Sequence, residues 1–109
     1  MSDSLHLELD IPCGVEEAWA HVVDPSWLGD DGQMDAVVGA EGWVRSDGET
    51  RFLVVEEVEV SRRLTFRWAS FREEPSRVEI GLESVPEGTR VVVSESPLRA
   101  LACATLALR

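Results

Sequence analysis

Residues 5–11 read Leu5-His6-Leu7-Glu8-Leu9-Asp10-Ile11, a strict alternation of apolar and polar side chains. A period of two is that of a strand with one buried face. Leu5, Leu7, Leu9 and Ile11 are predicted to face inward, and His6, Glu8 and Asp10 to face water. Pro12 and Gly14 break the strand. Val15, Ala18, Trp19, Val22 and Val23 then recur at one-turn spacing, the stripe of a helix. Glu16 and Glu17 suit the positive end of its dipole. Asp24-Pro25 ends the helix, because a residue before proline avoids helical backbone, and a short helical turn is predicted over residues 25–28. Residues 29–32 read as a loop.

Beyond Met34 the period returns to two. Strands are predicted over residues 34–38, 43–45, 50–60, 64–71, 77–85 and 89–95. Ser46-Asp47-Gly48 and Pro86-Glu87-Gly88 are turn signals between them. Ser96 and Pro97 suit the start of a final helix. That helix, residues 97–109, is apolar nearly all round and requires burial against another element. Strands joined by hairpins form an antiparallel sheet with one polar face and one core face, so the fold class is α+β: a bent antiparallel sheet of about six strands, short N-terminal helices and a C-terminal helix in its concavity.

Composition narrows the function. The chain has 109 residues, 44% of them apolar, enough for the core of one domain. Ten cations, all arginine, face 21 acidic residues, a net charge of −11. Nucleic-acid binding needs clustered cations to replace phosphate counterions, so no nucleic-acid partner is expected. No apolar run is long enough to span a bilayer, so no membrane partner is expected, and the absence of a signal-peptide pattern makes a cytoplasmic location the expectation. Cys13 and Cys103 lie far apart, with no zinc-ligand spacing, so neither a metal nor a cofactor is expected. His6 and His21 have no partner at a spacing that suggests a catalytic triad, and no catalytic residue is assigned.

Several motifs appear in a fixed order: Ile11-Pro12 through Trp19; Asp24-Pro25; Gly39 to Trp43 with Asp47-Gly48; Glu57-Val58-Glu59 followed by Arg62-Arg63-Leu64-Thr65-Phe66-Arg67-Trp68; Ser76-Arg77-Val78 to Leu82; and Gly88-Thr89-Arg90. Together, over roughly residues 5 to 96, they resemble the helix-grip, START-like superfamily, also called SRPBCC. Within it the chain looks like the branch of activators of the heat-shock protein 90 ATPase. The resemblance implies a single domain over residues 1–109 that binds a hydrophobic small molecule, lipid- or polyketide-like, between sheet and C-terminal helix. The side chains placed there are Trp19, Trp27, Met34, Trp43, Phe52, Phe66, Trp68 and Phe71, with core filling as the alternative role for each. The family's last helix is usually longer than residues 97–109, which leaves open a homodimer through core exposed near that helix.

Glu56 stands apart. In the strand over residues 50–60 it shares the parity of Phe52, Val54, Val58 and Val60, predicted to face inward. Either it enters the cavity, where a carboxylate can act as a general acid or base, or a β-bulge turns it outward. The first case joins Glu56 to the ligand site and supports an alternative function, a polyketide cyclase-like enzyme. A chaperone-associated ATPase activator homologue is the other alternative that the resemblance implies.

Overall fold

In the computed structural model, which describes residues 4–98, the alternating segments form seven strands. They are β1 (Leu5–Ile11), β2 (Asp31–Gln33), β3 (Glu41–Ser46), β4 (Glu49–Glu59), β5 (Arg63–Ala69), β6 (Ser76–Val85) and β7 (Gly88–Pro97). One helix, α1 (Val15–Val22), and a 3-10 turn at Pro25–Trp27 connect β1 to β2. The strands build one sheet in the order β1-β7-β6-β5-β4-β3-β2. Every pairing is antiparallel. The final helix predicted over residues 97–109 lies outside the described residues, apart from its first two positions; of these, Pro97 is the last residue of β7.

The observed strand count is seven rather than about six. The strand predicted over residues 34–38 is displaced: β2 ends at Gln33, and buried Met34 begins the irregular link to β3. The Ser46-Asp47-Gly48 turn forms as expected. Asp47 and Gly48 take φ of 52° and 78°, the double left-handed geometry that lets a two-residue hairpin follow the twist of its strands.

The inner face carries the core. Val44, Leu53, Val55, Leu64, Phe66, Val78 and Ile80 are buried in one cluster, and Val22 of α1 packs onto it. The strand register sets these residues in cross-strand rows. Leu53 faces Trp68, Val55 faces Phe66, and Val58 faces Leu64. Such directly opposed pairs are the unit of sheet stabilisation.

Glycine and threonine pin β1 and the start of α1 to β7. A Cβ on Gly88, whose φ is +152°, would stand 2.1 Å from the Ile11 carbonyl oxygen, so only glycine permits this approach. Next to it the fully buried Thr89 donates its hydroxyl to the Cys13 carbonyl at 2.7 Å. This satisfies a backbone acceptor that the bend between β1 and α1 leaves without a ladder partner.

Candidate functional site

The phase of β4 decides what enters the interior. The ladder to β5 slips by one residue between Val55 and Glu57, leaving Glu56 unpaired in a bulge. Before the bulge the odd residues Leu53 and Val55 face inward; after it the even residue Val58 does. The single parity predicted for residues 50–60 therefore fails at Phe52, which lies on the outer face 57% exposed. Glu56 takes the second of its two predicted courses. Its Oε1 accepts from Arg77 Nε at 2.9 Å. Arg77 precedes inward Val78 in β6 and opposes Arg67 of β5, so it faces outward and Glu56 reaches it across the outer face of β5.

The remaining predicted residues disperse. Phe66 is fully buried and meets Trp68 edge to face, with ring centroids 5.4 Å apart. Met34 is buried, and Trp19 packs against the core from α1. Trp43 opposes Phe52 on the outer face, with the Arg45 guanidinium 5.6 Å from its ring. Phe71 is wholly exposed beyond β5. Trp27 is held by its indole N–H on the Val22 carbonyl at 3.0 Å, and it lines a groove.

That groove, of about 570 Å³, runs between the inner face of β1 and β7 and the helix α1. Leu7 and Leu9 of β1 oppose Val93 and Val91 of β7 on its floor, and Glu17, Ala18, His21 and Val22 form the helix side. The inward direction predicted for the β1 leucines holds, yet Leu5, Leu7 and Leu9 are each more than half exposed. A row of leucines presented to an open groove is an apolar surface of the kind that marks binding sites.

Glu95 places a carboxylate on the inner face. In register it opposes Leu5 on one side and buried Val78 on the other, in the same row as Phe66 and Val55. Trp68 donates its indole N–H to Glu95 Oε2 at 2.9 Å, and Ser76 donates its hydroxyl to the same oxygen at 2.5 Å. The Arg51 guanidinium lies over the Trp68 ring, 4.4 Å from its centroid, and pairs with Glu73. The inward aim of Glu95 was hidden in the sequence because Val91, Val92 and Val93 are all apolar and erase the phase of β7. The usable signal lay in the partner strand, where Val78, Ile80 and Leu82 state the inward parity. Among the described residues, no group of three or more His, Cys, Asp or Glu side chains is placed to hold a metal ion, and no helix is long and apolar enough to cross a membrane.

A curled antiparallel sheet with a helix against its inner face defines a helix-grip domain. Residues 13–105 match the family described as activator of Hsp90 ATPase homolog 1-like protein, and the chain belongs to it. Among solved structures the chain is similar to DynU16, a protein of the dynemicin biosynthetic locus, at 28% identity and a TM-score of 0.79, over 89% of this chain and 38% of that one. It is similar to CalU16 from Micromonospora echinospora at 22% identity and a TM-score of 0.71, over 86% of this chain and 60% of that one. The Aha1 dimer from Colwellia psychrerythraea shares the fold at 17% identity and a TM-score of 0.74, over 96% of this chain and 88% of that one. The chain thus spans 38% of DynU16 and 60% of CalU16. No curated protein matches it.

Proposed function

We propose that this domain binds a hydrophobic small molecule in the groove between α1 and the β1–β7 face. The observation that carries the reading is the floor of the groove: Leu7 and Leu9 are 54% and 55% exposed although their strand alternation aims them inward. Covering apolar surface yields about 25 cal/mol per Å², so a ligand that fits the groove gains from the water it displaces. The volume, about 570 Å³, is that of a small-molecule site. Native mass spectrometry and calorimetry against a panel of apolar ligands test the reading. Binding that is lost in Leu7→Asp with the fold retained supports it; a panel that never binds overturns it.

The same leucines favour a second reading, self-association. β1 is an edge strand, edge strands offer unpaired backbone groups, and the Colwellia relative is described as a dimer. Sedimentation velocity separates the two: a dimer that Leu7→Asp dissociates supports the interface, and a monomer at all concentrations removes it.

A further inference from the structure

Among the described residues, β1 pairs with β7 alone, and it runs from Leu5 to Ile11 without a bulge. Leu5 through Asp10 are all exposed. The opposite edge of the sheet, β2, is three residues long and carries the Asp31–Arg45 ion pair. Short, charged edges are protected against further pairing, and long regular ones are not.

The exposed edge is also self-complementary. Leu5-His6-Leu7-Glu8-Leu9 has leucine at its centre and both ends, with histidine on one side of the centre and glutamate on the other. From this pattern we infer that β1 pairs antiparallel with β1 of a second copy, in the register centred on Leu7. Leu7 then opposes the partner's Leu7, and Leu5 opposes the partner's Leu9. His6 opposes the partner's Glu8, and the two-fold axis repeats that pair. An imidazole keeps at least one N–H in either of its forms, so each glutamate meets a donor. His6 and Glu8 already meet along their own strand at 3.0 Å, so the four side chains form one cluster across the axis.

Other registers fail. A centre between two residues turns the partner's polar face onto the leucine face. Centred on Glu8, the ladder sets Glu8 on its own copy; centred on Leu9, it sets Glu8 on Asp10. Like charges directly opposite destabilise a sheet, and two chains of net charge −11 already repel. Centred on His6, the ladder runs Leu9 past the start of the partner's strand. In the Leu7 register the leucines of both copies form one row on the inner face, and the partner's leucines wall the open side of each groove. This rests on the reading of self-association and adds to it the register and the shared wall.

Sedimentation velocity on the wild type, H6E and the double variant H6E/E8H tests the register. The wild type is expected to dimerise. H6E sets acid on acid in both pairs and is expected to weaken the dimer about tenfold, the order of two cross-strand pairs turned from attractive to repulsive. H6E/E8H again opposes a histidine to each glutamate and is expected to recover the wild-type affinity, a loss and recovery that only the Leu7 register gives. In a mixture of labelled and unlabelled wild type, intermolecular NOEs are expected from Leu5 to Leu9 and from Leu7 to its own copy, a readout that needs no variant. A dimer that H6E leaves intact, a double variant as weak as H6E, or intermolecular contacts between other residues overturns the register and leaves self-association standing. A wild type that is monomeric at all concentrations overturns both.

Discussion

Glu56 and Arg77 meet at 2.9 Å across the outer face of β5, joined by a bulge that removes the glutamate from the interior. The contact holds the Arg77 guanidinium above its ordinary pKa, through the hydrogen bond first and then the charge of Glu56. Both side chains keep partial access to water, so the pair is worth little. Glu56→Gln is expected to destabilise the domain by about 0.5 kcal/mol in urea unfolding and to leave the binding of any groove ligand unchanged. A loss of binding in the folded variant would return Glu56 to the site.

The three phenylalanines separate by position. Phe66 is fully buried at the centre of the inner face, whereas Phe52 and Phe71 are exposed on the far side and in a loop. Phe66→Ala is expected to cost about 3–5 kcal/mol, much of the stability of a domain this size. Phe52→Ser and Phe71→Ser are expected to stay within about 0.5 kcal/mol. Chemical denaturation of the three variants reads the contrast.

Thr89 links β7 to the bend between β1 and α1 through the Cys13 carbonyl. Thr89→Val keeps the shape and removes the donor, leaving a carbonyl without its partner, so a loss of about 1–3 kcal/mol is expected. Thr89→Ser keeps the hydroxyl and is expected to lose less. Faster amide exchange along β1 in Thr89→Val than in Thr89→Ser would show that the hydroxyl, and not the methyl, holds the strand.

The hydrogen bond from Arg90 to Asp10 holds that carboxyl below its usual pKa, with the arginine charge adding to the effect. The amide of Ser26 does the same for Asp24. A carboxyl lowered in the folded state stabilises the fold above its unfolded pKa, and that stability is lost as pH falls through the folded value. The affected window therefore lies below the ordinary aspartate value of about 3.9. Carboxyl NMR titration should place both midpoints below that of an unfolded control, and Asp10→Asn should flatten the acid limb of the thermal stability profile.

Much of the sheet was legible in the chain because a half-buried strand writes its burial directly as a period of two. Leu5 to Ile11 and Val78 to Leu82 name their inner faces without ambiguity, and Asp47-Gly48 names its hairpin because few residues accept left-handed backbone twice in succession. The site was less legible. The aromatic side chains were grouped by type, and type does not distinguish a core residue such as Phe66 from an outer one such as Phe52. Of the predicted side chains Trp27 lines the groove, and most of its other lining is aliphatic, from β1, β7 and α1, segments at opposite ends of the chain that only the sheet order brings together.

The sequence by itself determined the family, the succession of strands and the apolar face of β1, since these depend on local pattern and on motif order. Tertiary structure alone decided that Glu95 faces inward and Glu56 does not. Glu56 and Glu95 are alike in sequence, each a glutamate in a valine-rich strand. One extra residue in the ladder at Glu56 shifts the phase of β4 and sends that side chain to Arg77. The unbroken register of β6 on β7 holds Glu95 opposite Val78, in reach of Trp68 and Ser76. A period of two leaves no margin: a slip of one residue exchanges the two faces of a sheet, and only the partner strand records where the slip occurs.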